Sequence, residues 1–239
     1  MDPEFLFRAD DQRPPVPLPV LTIDGPSASG KSTVAAMLGE RFGGAVLYTG
    51  KHYRAVTFAL LEVGINVNDE LAASQALHRM KPWLDRDGLI VLDGRTVPDA
   101  EAESPRVESQ VSTVAVNDVI REELRDLQRR FITERSGSSH PVVVEGRDAG
   151  TSLAPQAPAR YFLDCSVDER AQRRGRQRGL SDAQRQEIAE KLNSRDRQDQ
   201  GHGRAARDTP GLICILTDGM SASDVVEVIW QRISVRRGP

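Results

Sequence analysis

The chain has 239 residues, 38% of them hydrophobic and 28% charged, with a formal net charge of −3 at pH 7. That length holds one well-buried core with room for a smaller inserted lobe, and the mildly acidic balance gives no ground for expecting a nucleic-acid or membrane surface. Cys165 and Cys214 are too few for a disulfide framework or a thiolate metal site, and no apolar run approaches the roughly 18 residues of a membrane helix. A reducing cytoplasm is the expected compartment. The basic residues are lopsided, since only Lys31, Lys51, Lys81 and Lys191 among the 32 Lys and Arg are lysines. A GC-rich coding sequence accounts for this bias, and arginine's planar fork also suits phosphate.

Residues 1–17 carry acidic side chains early and prolines later, so a disordered tail is expected there, and its opening MDPEF resembles a cloning remnant. From Pro19 onward, short apolar runs alternate with longer periodic stretches. The runs are VLTI (20–23), AVLY (45–48), VVVE (142–145), RYFLD (160–164) and LICIL (212–216). Continuous apolar runs separated by helical patterns predict an α/β fold, a buried parallel sheet with helices on both faces. The first helix is expected from Lys31 to about Phe42. Between about 64 and 105 the alternation breaks at LIVLDGRTVP, where Asp93-Gly94 predicts a tight hairpin and hence a small antiparallel insert. Ser166-x-x-Glu169, Ser181-x-x-Gln184 and Ser221-x-x-Asp224 predict helix starts. The last helix puts Val225, Val226, Ile229 and Ile233 on one stripe, away from Glu227 and Arg232.

Directly behind the first run stands GPSASGKST, residues 25–33, a full match to G-x-x-x-x-G-K-[S/T]. Backbone N–H groups from Gly25, Pro26, Ser27, Ala28, Ser29 and Gly30 onward must curl around phosphate, apart from the proline, which has none. That requires residues that permit close approach and unusual dihedrals. The helix that follows points its positive end at the anion. Lys31 adds a point charge between the β- and γ-phosphates, while Ser32, followed by Thr33, offers an oxygen to Mg²⁺. This pattern predicts an ATP-binding loop. By itself it does not separate a GTPase switch, a motor ATPase and a small-molecule kinase. No N-K-x-D guanine-reading motif is present, and the arginine-rich C-terminal third suits a kinase whose lid closes arginines over phosphates.

TIDGPSASGKST, TGKHYRAVT (49–57), VEGRDAGT (144–151) and RDRQD (195–199), ahead of ILTDGMSASDVVEVI, together resemble the bacterial cytidylate kinases, nucleoside monophosphate kinases of the P-loop class. The resemblance runs from Leu18 to Ile233. It implies a five-stranded parallel core (18–63, 106–165 and 208–235), a three-stranded CMP-binding insert (about 64–105) and a helical lid (about 166–207). It further implies transfer of phosphate from ATP to CMP or dCMP with Mg²⁺, by a monomer that engages neither nucleic acid nor membrane. On the same resemblance, Thr49 stands beside the base, Arg54 and Arg147 hold the CMP phosphate, and Ser112, Arg121 and Asp148 read the cytosine. Arg195 and Asp199 match the pair that holds the pentose. Lys31, Arg147 and Arg174 are the catalytic candidates, and Arg170 joins the ATP site. Glu145 stands where the family has aspartate and is a candidate to hold a magnesium-bound water.

Each assignment has a plainer rival. Arg195 and Asp199, four apart on a helix, also make an ordinary solvated pair, Ser112 a small helix residue, and Asp148 a cap for a neighbouring turn. His52 and His202 are expected at the surface. The family pattern is broken at Tyr48, Lys51 and His52, and His202 stands at a usual arginine position with Arg204 and Arg207 close behind. A kinase for another monophosphate such as UMP, or a non-catalytic nucleotide-binding module, remains the alternative reading of these residues.

Overall fold

The run at 20–23 becomes the central strand of a parallel sheet, β1 (Val20–Asp24), and the remaining runs follow as its neighbours. The computed structural model of the chain describes residues 19–136, 141–179, 182–201 and 207–235. After β1 come α1 (Lys31–Phe42), β2 (Ala45–Tyr48) and α2 (Thr49–Glu62). Next are α3 (Glu70–Arg79), the short strands β3 (Trp83–Leu84), β4 (Ile90–Leu92) and β5 (Arg95–Thr96), and the helices α4 (Asp99–Ala102), α5 (Pro105–Val114) and α6 (Asp118–Ser136). The core resumes with β6 (Val142–Glu145), a π turn (Ala149–Leu153) and β7 (Ala159–Asp164). Two helices, α7 (Val167–Arg178) and α8 (Asp182–Gly201), precede β8 (Ile213–Leu216) and α9 (Ala222–Val235). The five-stranded sheet has the order β2-β6-β1-β7-β8, with every pair parallel.

The strands read as unbroken apolar runs because helices cover both faces. Leu21, Ile23, Val143, Tyr161 and Leu163 pack on one side against Val34, Leu38 and Phe42 of α1 and Val225, Val226, Ile229 and Ile233 of α9. Val142 and Val144 face the other way, onto Phe131 and Ile132 of α6. Burying each such side chain contributes about 1.5–3 kcal/mol. Trp230 stacks on Phe42 with ring centroids 5.4 Å apart, under the Arg41 guanidinium. Two of the predicted helix starts are made as capping pairs. Glu169 N donates to Ser166 Oγ at 3.3 Å, and Asp224 N to Ser221 Oγ at 3.2 Å. Ser181 lies outside the described residues.

The insert is a second small core, in which Leu77, Met80, Ile90 and Leu92 meet Val56, Leu60, Val114, Ile120 and Leu124. Its antiparallel sheet has the order β3-β4-β5. The Asp93-Gly94 turn is a two-residue loop, with Leu92 facing Arg95 and left-handed φ values of 48° and 76°. That twist matches the twist of the strands it joins.

His52 departs from its expected surface position. It is only 2% exposed, and it ties α2 to both the insert and α6. Its Nε2 donates to Gly88 O at 2.9 Å, and its Nδ1 accepts from Gln128 Nε2 at 3.0 Å. Burial lowers its pKa from 6.5 to about 4, so it folds neutral. Below pH 6.5 the unfolded chain binds a proton that the fold does not. Stability carried by this histidine is therefore present above pH 6.5 and lost as pH falls toward 4, by roughly 3 kcal/mol in total. His52→Leu leaves the Gly88 carbonyl and the Gln128 amide unpaired, and is expected to cost about 2 kcal/mol at pH 7. Denaturant melts of both proteins across that range should show the gap to wild type closing as pH drops. A gap independent of pH would show that His52 is not held neutral.

Candidate active site

The C-terminal edge of the parallel sheet opens into a cleft of about 1370 Å³. Ligands bind at this edge in open α/β sheets, because strand ends, loops and helix N-termini converge there. The loop after β1 forms one wall. Gly25 takes φ 151° and Gly30 φ 90°, and a Cβ at Gly25 would lie 2.4 Å from Leu163 O. Ala28 adopts φ 62°, at a cost of about 1 kcal/mol for a residue with a Cβ. The first turn of α1 carries no acidic side chain, so its positive end is left for an anion.

Lys31 is the buried cation of this wall. Its Nζ donates to Pro26 O at 3.1 Å and lies 3.4 Å from Glu145 Oε1. Glu145 reaches this point because β6 runs between β1 and β2, with Ile23 and Tyr48 as its register partners. Thr49 Oγ1 donates to Glu145 O at 2.9 Å, so its hydroxyl keeps only its accepting capacity for a ligand. Burial, with the Glu145 charge added, pushes the Tyr48 phenol up, and it remains a neutral donor. Lys51 Nζ pairs with Asp99 Oδ2 at 2.7 Å, linking α2 to the first turn of α4.

The opposite wall gathers Arg54 of α2, Ser112 of α5, Arg121 of α6, and Arg147 and Asp148 behind β6. Arg121 Nη2 donates to Asp148 Oδ2 at 3.1 Å, while its Nη1 donates to Ala115 O at 3.0 Å. Arg125, one turn further along α6, stands 3.8 Å from the same carboxylate oxygen. The Asp148 side chain makes no cap bond to its own turn.

Helix α7 closes the third side. Arg174 lines the cleft and pairs with Glu108 of α5 across its mouth. Arg173, which by resemblance joins Arg170 and Arg174 in the basic run of the lid, also lines the cleft. It donates to Ser29 O at 3.1 Å and Met220 O at 3.3 Å, with Glu169 Oε1 as its ion pair at 2.9 Å. Arg170 departs from its expected place among the ATP-contacting groups. It is 3% exposed and absent from the cleft wall. Its guanidinium donates to Cys165 O at 3.1 Å and Ser27 O at 3.2 Å and pairs with Asp196, so it braces the back of the phosphate loop. Arg207 pairs with Asp164 at 3.2 Å and is likewise off the cleft wall. The side chains of Arg195 and Asp199, and His202 and Arg204 as a whole, lie outside the described residues.

One group escaped the sequence reading altogether. Asp24, fully buried at the end of β1, accepts from Ala149 N with Oδ1 and from Gly150 N with Oδ2, both at 2.8 Å. Its only sequence signal is an acidic residue closing an apolar strand, where burial without a reason is unfavourable.

A family model described as cytidylate kinase matches residues 21–235. The chain is 36% identical over 225 residues to a cytidylate kinase of Herpetosiphon aurantiacus, covering 90% of this chain and 94% of that protein. A cytidylate kinase of Thermotoga neapolitana is 36% identical over 223 residues, covering 90% and 97%. A bifunctional pantoate ligase/cytidylate kinase of Synechococcus sp. aligns at 36% identity over 88% of this chain and 44% of its own length. With a phosphate loop, an arginine-lined cleft and matches of this extent, the chain belongs to the cytidylate kinase family.

Proposed function

We propose that the protein transfers the γ-phosphoryl group of ATP to CMP or dCMP, giving ADP and CDP or dCDP. The observation that carries this reading is the common cleft. It has the Lys31 loop on one wall, the Arg121–Asp148 pair on the other, and arginines between them. Cytosine differs from uracil in its N4 amino donor and N3 acceptor. Asp148 accepts from N4, and Arg121, assisted by Ser112, donates to N3 or O2. Uracil turns its O4 lone pairs toward the carboxylate and is rejected. Arg54 and Arg147 hold the CMP phosphate, Thr49 accepts from the substrate beside the base, and Arg195 with Asp199 holds the pentose.

An oxygen of the CMP phosphate attacks the γ-phosphorus as the bond to the β–γ bridging oxygen breaks, leaving the charge on ADP. No general base is needed, because the attacking oxygen is already anionic. The protein's contribution is positioning and charge neutralisation by Lys31, Arg147 and Arg174. Among the described residues no cluster of three or more His, Cys, Asp or Glu is arranged to hold a metal by itself. The hard oxygens of Ser32 and Glu145 fit Mg²⁺, which takes most of its ligands from water and phosphate. When bound, that ion neutralises charge on the β- and γ-oxygens. Ser32 would ligate it directly and Glu145 through water. No described helix is long and apolar enough to cross a membrane, and a cytoplasmic setting follows from the proposed use of ATP.

The test is an ADP-release assay with ATP and Mg²⁺, offering CMP, dCMP, UMP, AMP and GMP separately. Strong turnover of CMP and dCMP with UMP far behind is expected. Preference for another monophosphate would overturn the base assignment, and no turnover with any of them would overturn the reaction.

A further inference from the structure

The π turn Ala149–Leu153 starts with amides that its own N-cap does not satisfy. Side chains at an N-cap position commonly accept from the first amides of the turn they precede, and aspartate is among the best at it. Asp148 holds that position, yet its carboxylate makes no cap bond and pairs with Arg121 instead. The amides are satisfied from another strand. Asp24 takes both, one on each carboxylate oxygen at 2.8 Å, and it is fully buried and off the cleft wall.

From this we infer that Asp24 is a positioning residue, capping the Ala149–Gly150 turn from outside so that the Asp148 carboxylate stays turned toward the substrate base. The inference rests on the base-reading role proposed for Asp148. Three further observations support it. Asp24 immediately precedes Gly25, so one residue joins the phosphate loop to the turn that carries the base-reading group. A Cβ at Gly150 would lie 3.2 Å from Asp24 Oδ2 and 2.7 Å from Thr22 Oγ1, so the close approach of that amide depends on glycine. Arg160 Nη1 donates to Gly150 O at 3.1 Å and holds the turn from its other side. Burial pushes the Asp24 pKa up to about 7 against the pull of the two amide bonds. An apolar residue in its place would avoid that desolvation but leave both amides without acceptors. Asp148, at the N-cap position of the turn, is an alternative acceptor, and folding back onto its own turn would take it from Arg121.

Asp24→Asn is close to isosteric and keeps one accepting oxygen, but sets an NH₂ against the second amide. It is expected to raise KM for CMP and lower the CMP-to-UMP ratio of kcat/KM about tenfold, with KM for ATP changed less than about twofold. Gly150→Ala, which pushes the turn off an intact Asp24, should lower the same ratio. In an Asp148→Asn background, Asp24→Asn should leave the ratio where Asp148→Asn alone has put it. An unchanged ratio in a folded single variant would overturn the inference, whatever its melting temperature. So would multiplicative losses in the double variant, since Asp24 would then act independently of Asp148. A wild-type enzyme with no preference for CMP would instead remove the base-reading assignment on which the inference stands.

Discussion

Lys31→Ala is expected to lower kcat by about 10³-fold or more, roughly 4 kcal/mol of transition-state stabilisation, while the protein stays folded. Lys31 is 8% exposed, and its partners include Pro26 O and Glu145 Oε1. A cation held in that position is already oriented before ATP arrives, so little reorganisation is needed as charge shifts toward the leaving ADP oxygen. Water cannot replace it, because solvent dipoles must reorient where the ammonium is already in place. The fold should survive because Glu145, though only 6% exposed beside Lys31, borders the cleft and gains water in the space the lysine side chain leaves. Pairing Lys31→Ala with Glu145→Gln removes the unpaired carboxylate as well. Recovery of the melting temperature in that double variant would trace any lost stability to the unpaired carboxylate, while the rate is read in Lys31→Ala alone because Glu145 is itself placed at the magnesium-bound water. Steady-state rates with ATP and CMP, beside thermal melts, decide the matter, and a near-normal kcat would sink the assignment of Lys31 to the transferring phosphate.

The parts of this molecule governed by local pattern were legible in its sequence. The five core strands are five apolar runs because both of their faces are buried, and α1 begins at Lys31 directly behind Gly30, whose φ of 90° ends the loop ahead of it. The Asp93-Gly94 turn declared its hairpin through a dipeptide that accepts two left-handed residues. Features set by distant partners were not legible. β3 is only Trp83–Leu84, too short to alternate, and it exists because Val91 and Ile90 pair with it. His52 reads as a polar residue on a helix, and its burial is decided by Gln128, 76 positions away. Arg170 belongs to a basic run whose members look alike in sequence. Cys165 O, Ser27 O and Asp196 draw it under the loop, while Arg174 is drawn across the cleft by Glu108. Asp24 and the amides it accepts stand 125 and 126 positions apart, a link that no periodicity encodes.

Removing the Asp148 carboxylate tests the specificity half of the mechanism as Lys31 tests the chemical half. Asp148→Ala is expected to reduce kcat/KM for CMP by roughly 2–4 kcal/mol of transition-state binding, or about 30- to 1000-fold. Two losses add. The cytosine amino group finds no acceptor in a closed site, and Arg121 is released from the partner that orients it at 3.1 Å. Arg121 should not swing away completely, because Nη1 stays on Ala115 O at 3.0 Å. Some binding of the ring therefore persists, which keeps the loss below that of a collapsed pocket. The asparagine variant separates the two contributions. Asp148→Asn preserves the shape and one acceptor, but its NH₂ can also donate to the O4 of uracil. It should cost CMP less than alanine does and should raise UMP turnover, narrowing the ratio from both sides. An alanine variant that lowers CMP and UMP turnover equally would mean that Asp148 only holds Arg121. One that leaves CMP turnover untouched while UMP stays excluded would move base recognition elsewhere on the cleft wall, with Tyr48 and Ser112 the next groups to vary.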